Sequence, residues 1–374
     1  MSVLINCSNL HGGGGVSVAT SFLDCLSQQI FSEFKITLLL SSKVHSNLCR
    51  LNSNLGVFEK IIVDDIYGWN SIFANYRKYA HDMKLMFTVF GPIYILRKDF
   101  IHISGIAQPY IIYPKNAYIS NVFWGTKFKI LLNTFLKTLF VLNNDTIIVE
   151  REKIKDRIKN NFLLKNLEVF TVSSTIHSIY KEKKRWEKLF IPKKTRKINF
   201  GLIARNYPHK NLEILANVKK DLLDYFNIDS NLFVTLSNDE WNKTSLFFKK
   251  SAINLGSLIL DQCPSFYESM DAIVMPTLLE SFSSIPIETM VMEKPFFGSN
   301  LDFMKDVCGK HCIYIDPFNS RDIAYRISEF FKLSEIDRKN WLNDAKSFVN
   351  QLPNANERCH NYMSIIISKL NSVD

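Results

Sequence analysis

The chain has 374 residues, 47% of them hydrophobic, with 46 Lys+Arg against 36 Asp+Glu. That length fits two domains with sizeable cores. The longest apolar run, 130–142, is broken by Asn133 and Lys137 and is too short for a membrane span.

No basic n-region or cleavage pattern marks a signal peptide. Seven scattered cysteines, an odd number, point to a reducing cytoplasm rather than to a disulfide framework. Charge is uneven. Residues 1–200 hold 28 Lys+Arg and 14 Asp+Glu, a net +14, whereas residues 201–374 hold 18 and 22, a net −4. A basic half implies an anionic partner such as a membrane surface or a lipid-linked phosphate. Nucleic acid is not expected, because no recognisable binding module or basic–aromatic face is present.

In chain order, Ser2–Cys7 reads as a strand. The loop that follows carries Gly12, Gly13, Gly14 and Gly15, and then Ala19, Phe22, Leu23, Leu26 and Ile30 recur at helical spacing. Strand, glycine-rich loop and helix open a Rossmann-like domain, and the four glycines let backbone approach a ligand closely and present N–H groups at the helix start. The dinucleotide fingerprint is not met. Ser17 stands at its third glycine, and the next strand, 34–40, ends in Ser41-Ser42 without an acidic residue for a ribose. A dehydrogenase is therefore not expected. Further strands are predicted at 60–63, 85–90, 101–104 and 146–149, with His102 on the third of them. The stretch 123–142 mixes aromatic, aliphatic and Lys residues. It reads either as an interfacial helix or as a buried helix with exposed lysines.

The run 181–197 is basic and reads as a linker. A strand over 198–203 then leads to Arg205 and Lys210, five positions apart, and to a helix with Leu212, Ile214, Leu215 and Val218 apolar. A strand at 233–236 and a short helix at 265–270 precede the segment Asp271–Pro295. There the strand Ala272–Met275 runs into a loop at Pro276, and a helix begins near Pro286, where a missing N–H removes nothing. Glu280 lies in the loop and Glu288 in the first turns of the helix. The amides of Ser283, Ser284 and Ile285 would present N–H groups to a phosphate, with a carboxylate on either side for sugar hydroxyls. Beyond it come Phe296-Phe297, a turn at Gly298, a strand over 312–315, a helix from Arg321 and a helical tail over 334–370. Cys308 and Cys312 flank His311, but the strand-like 312–315 favours core burial over a metal site.

Pro276, Glu280, Phe282, Pro286, Glu288, Met290 and Pro295 fall in register with the donor-site signature of retaining GT-B glycosyltransferases of CAZy family four, and the segment resembles it. Ser281 and Ser283 replace its two glycines, Thr289 replaces an alanine, and Glu293-Lys294 stand where a glycine is common. Arg205 and Lys210 resemble the family's diphosphate-binding pair. The segment His102-Ile103-Ser104-Gly105-Ile106-Ala107-Gln108-Pro109 resembles a stretch of members from bacterial surface-polysaccharide clusters. The resemblance covers about 198–330 well and the N-terminal half loosely.

It implies an α/β GT-B fold, two Rossmann-like domains facing across a cleft. The expected boundaries are 1–175 for an acceptor-side domain, 176–197 for the linker, 198–340 for a nucleotide-sugar domain and 341–374 for a helical tail crossing back. It further implies a hexosyl transfer from a UDP- or GDP-linked sugar to a lipid-linked or other oligosaccharide acceptor, in O-antigen or capsule synthesis. Glu280 and His102 would serve the donor sugar. Arg205, Lys210, Gly13, Gly14, Ser283, Ser284 and Ile285 would hold the diphosphate, and Glu288 the ribose. No D-x-D is present, so neither metal nor cofactor is expected. The protein would be cytoplasmic, with an anionic inner membrane face as a candidate surface. A UDP-sugar epimerase of GT-B fold and a non-catalytic binding module remain open.

Overall fold

A computed structural model describes residues 2–29, 35–73, 76–95, 98–191 and 197–372. The predictions at Ile30, Phe34, 192–196 and 373–374 lie outside these residues. The chain divides into two units, Met1–Lys115 with Asn121–His177 and Pro353–Asp374, and Asn116–Ser120 with Ser178–Leu352.

The first unit contains seven parallel strands: β1 Ser2–Cys7, β2 Lys35–Leu40, β3 Lys60–Val63, β4 Leu85–Gly91, β5 Ile101–Ile106, β6 Thr146–Val149 and β7 Glu168–Thr171. Their order is β3-β2-β1-β4-β5-β6-β7. The central strands β1 and β4 are largely apolar, interrupted by the hydrogen-bonded pair Asn6 and Thr88, and are buried almost throughout, as a parallel sheet covered on both faces requires. Helix Gly14–Leu26 covers β1 and β4. The final helix, Ala355–Asn371, packs on it, with Phe22 and Tyr362 edge to face at 5.1 Å. The tail therefore leaves the second unit only at Pro353, not at 341, because Pro353 breaks the helical tail into Glu335–Asn350 and Ala355–Asn371.

The second unit holds β8 Ile198–Leu202, β9 Ser230–Val234, β10 Ala252–Asn254, β11 Ala272–Met275, β12 Phe296–Ser299 and β13 Ile313–Ile315, all parallel, in the order β10-β9-β8-β11-β12-β13. Gly298 lies inside β12 and not in a turn. A Cβ there would meet Phe296 Cε1 at 2.7 Å, Cys312 Sγ at 2.9 Å and Met304 Cγ at 3.0 Å, so its role is close packing. Cys308 and Cys312 are buried in the core. Part of the segment expected as a linker is anchored to the second unit. Ile179 and Tyr180 are buried, and Glu187 N–H donates to the Asp261 carbonyl at 2.9 Å.

In each sheet the chain starts in the middle, builds outward, and then returns to build the other side. The switch falls between β1 and β4 in the first sheet and between β8 and β11 in the second. The carboxyl ends of strands at such a switch are where open α/β sheets bind ligands, because the connections diverge there and leave a crevice.

Candidate active site

Four of the charged residues singled out in the sequence lie on segments leaving the carboxyl ends of β8 and β11, at the switch of the second sheet. Arg205 follows β8. Its Nε donates to Glu240 Oε1 at 2.6 Å, and the Asn206 amide donates to the same oxygen at 3.2 Å. Glu240 is itself fixed by a reciprocal cap: Ser237 Oγ accepts from the Glu240 N–H, and Glu240 Oε2 accepts from the Ser237 amide. Burial would raise the Glu240 carboxyl, but Arg205 and the Ser237 donors outweigh it and hold it below its ordinary value. Glu240 in turn raises Arg205 further.

Lys210 ends the 3-10 turn Pro208–Lys210. Its ammonium pairs with Glu280 Oε1 at 2.5 Å, and Thr277 Oγ1 donates to the same oxygen at 3.1 Å. The side chains of Lys210 and Glu280 are 13% and 12% exposed, so the pair sits at the rim and not in bulk water. Both residues are tethered by backbone. The His209 carbonyl accepts from the Leu278 amide at 2.7 Å, and Asn211, held at φ 54°, donates from Nδ2 to the Pro317 carbonyl at 2.6 Å. Burial holds the His209 imidazole down to about 4, with Lys210 acting in the same direction and Glu280 against it. His209 is therefore neutral at physiological pH.

Glu288 lies one turn into helix Ile285–Val291 and is buried, 8% exposed. Tyr267 Oη donates to its Oε2 at 2.7 Å, and Tyr180 also hydrogen-bonds its carboxylate. Burial and the nearby Glu288 charge push both phenols well up. They remain donors, and the carboxylate is held in place at an apolar position. The helix starts at Ile285 with Pro286 in its first turn, and its first bond runs from the Glu288 amide to the Ser284 carbonyl at 2.8 Å. Among the described residues the amides of Ser283, Ser284 and Ile285 have no protein acceptor in a turn, loop or cap.

The remaining candidates belong to the first unit. Gly13 caps helix Gly14–Leu26 at φ 69°, ψ −161°, a conformation open almost only to glycine. A Cβ at Gly13 or Gly14 would meet nothing within 4 Å, so the backbone at the switch of this sheet is bare.

His102 is a correction. It is the second residue of β5, near the end of the strand opposite Gly13 and Gly14, and it is 3% exposed. Its Nε2 shares a hydrogen bond with Thr88 Oγ1 at 3.0 Å, and burial pushes it down to about 3. A neutral, satisfied imidazole in the core does not fit the donor-sugar role expected of it. The sequence reading missed Glu240, Tyr180 and Tyr267. Ser237-x-x-Glu240 is a capping-box signature that marks Glu240 as fixed, whereas the tyrosines reach Glu288 only through tertiary contacts.

No known family model matches the chain. Over 287 residues it is 23% identical to the O-antigen chain mannosyltransferase RfbU of Salmonella typhimurium, covering 75% of this chain and 69% of that protein. It is also 24% identical over 213 residues to an uncharacterized glycosyltransferase of Methanocaldococcus jannaschii, spanning 55% of each. Its structure superposes on sucrose-phosphate synthase from Thermosynechococcus elongatus with a TM-score of 0.68 at 10% identity, covering 100% and 99% of the two chains. The chain is a glycosyltransferase of the GT-B fold. A second solved structure, Anabaena HepE in complex with UDP-glucose, matches the glycosyltransferase with a TM-score of 0.66 at 11% identity over 98% of this chain and 100% of that one. The GT-B fold that the resemblance implied is borne out. No described helix is long and apolar enough to cross a membrane.

Proposed function

We propose that this glycosyltransferase moves a hexosyl group, with retention at the anomeric carbon, from a UDP- or GDP-linked donor to a lipid-linked oligosaccharide during O-antigen or capsule synthesis. The observation that carries the reading is the convergence of Arg205, Lys210, Glu280 and Glu288 on one switch-point edge, each cation held by a carboxylate. As the anomeric C–O bond breaks, negative charge grows on the leaving diphosphate. Lys210 and Arg205 are set to stabilise it in place of a metal ion. The free amides at 283–285 add donors for the same phosphates, and Gly13 and Gly14 are backbone that a phosphate can approach.

Glu288, locked by Tyr267 and Tyr180, is proposed to bind the ribose hydroxyls through its remaining oxygen. Glu280 is held by Lys210 and Thr277, so it is proposed to orient the donor sugar and not to attack it. The acceptor hydroxyl then adds from the face the diphosphate leaves, and its proton passes to the leaving phosphate oxygen. The relation to RfbU puts mannose first among the sugars to try. All seven cysteines are free thiols, which supports a cytoplasmic enzyme working at the inner membrane face.

The test is to incubate the protein with labelled GDP-mannose or UDP-hexoses and a lipid-linked oligosaccharide extract, and to assign the product anomer by NMR. Retained configuration in a lipid product supports the proposal. Inverted configuration, or turnover of the nucleotide sugar to an epimer without any acceptor, would overturn it.

A further inference from the structure

Helix Trp124–Val141 is turned inside out relative to an ordinary amphipathic helix of a globular domain. Its inward side carries Val141 and Thr138, which are buried, Phe140, edge to face with Tyr94 at 4.9 Å, and Lys137, whose ammonium donates to Gln108 Oε1 at 3.4 Å. Its outward side carries Trp124, Phe128, Leu131, Leu132, Phe135 and Leu139, all exposed, with Trp124 at 73% and Phe128 at 63%. At roughly 100° per residue these six fall within about a third of the circumference, opposite Lys137, Phe140 and Val141, with Thr138 at the edge of the stripe. An exposed Lys stands on either flank of the stripe, Lys127 and Lys129. A contiguous exposed apolar stripe of this size marks an interaction surface.

Charge decides what the surface fits. From Phe100 to Asn144 the sequence contains no Asp or Glu, while Lys115, Lys127, Lys129 and Lys137 fall within it. An apolar stripe flanked by lysines in a stretch without acidic residues matches an anionic bilayer surface. The rings and leucines enter the acyl boundary, and the ammonium groups reach the headgroup phosphates. With three lysines the helix lies in the interface and does not cross it.

We propose that the face of helix Trp124–Val141 bearing Trp124, Phe128 and Phe135 docks the enzyme on an anionic lipid surface. The inference rests on the proposed lipid-linked acceptor and supplies the element that brings the enzyme to it.

The test is co-sedimentation of the full chain with phosphatidylcholine vesicles, with and without phosphatidylglycerol. It compares wild type with Phe128→Glu/Phe135→Glu and with Lys127→Glu/Lys129→Glu, and melting curves and nucleotide affinity confirm that each variant is folded. Wild type is expected to bind the anionic vesicles only. The aromatic variant is expected to lose binding, and the lysine variant to weaken it by about fivefold per lysine. Equal binding of wild type and variants, or no wild-type binding, would overturn the proposal. So would a wild-type dimer that the aromatic variant converts to a monomer, because the stripe would then be covered by a second copy. Nucleotide binding is read separately. Vesicle failure with intact UDP or GDP binding sinks only the docking surface, whereas loss of nucleotide binding in the wild type sinks the functional reading beneath it.

Discussion

The two sheets share one design, parallel strands that reverse their order at the middle, yet their switch-point edges are furnished in opposite ways. The edge of the second sheet is dense with paired charge. Lys210 meets Glu280, Arg205 meets Glu240, and Glu288 is held by two tyrosines. At the edge of the first sheet, the loop after β1 offers bare glycine backbone at Gly13 and Gly14, and the titratable group of β5, His102, is sunk in the core at the far end. A fold provides the crevice, but the chemistry depends on which side chains stand at its rim. One edge suits a polyanion whose charge grows during reaction, and the other suits close approach of backbone.

The largest effect should come from the charged edge. Lys210→Ala removes the cation nearest Glu280, and kcat for sugar transfer should fall by about 10²–10³-fold, the usual cost of one preorganised electrostatic partner. A loss of only a few-fold would mean that the diphosphate sits elsewhere. On the bare edge the expected damage is conformational. Gly13→Ala, at φ 69°, should lower stability by about 1–3 kcal/mol in denaturant titrations. Gly14→Ala, in helical geometry with open space around it, should leave stability nearly unchanged. Equal costs at the two positions would contradict the cap geometry.

His102 sharpens the same contrast through pH. Its folded value of about 3 lies below the unfolded 6.5, so between those values the unfolded chain holds a proton that the folded one does not. Stability therefore falls as pH drops through that window, by up to about 1.4 kcal/mol per unit. Between pH 7 and 4.5, His102→Gln should lose about 2 kcal/mol less than wild type, with nucleotide affinity unchanged. A variant that instead loses transfer activity with normal stability would return His102 to the site. A smaller effect on catalysis belongs to a partner of the charged edge. Glu240→Gln frees Arg205 and should raise the donor KM by about two- to fivefold, the worth of a partly exposed pair.

Much of this edge was readable because local signals and the fold agree. Apolar runs gave β1, β3, β6 and β11 nearly to the residue, and the spacing of Arg205, Lys210, Glu280 and Glu288 follows from strand ends that the topology brings together. What depended on tertiary packing was not readable. Gly298 looks like a turn residue but is a close-packing residue of β12. The depth of His102 depends on what covers its strand. The partners of Glu288 lie 21 and 108 positions away at Tyr267 and Tyr180. In helix Trp124–Val141 the lysines sit on more than one side, so periodicity alone did not reveal that the apolar stripe faces outward.

The most direct measurement is calorimetric binding of UDP, GDP and NAD to the wild type and to Glu288→Ala. One nucleoside diphosphate should bind tightly and NAD should not. The substitution should weaken binding by about 1.5–3 kcal/mol, the worth of a hydrogen bond to a charged group. Absence of nucleotide binding, or binding indifferent to Glu288, would contradict the donor site placed at the second switch point.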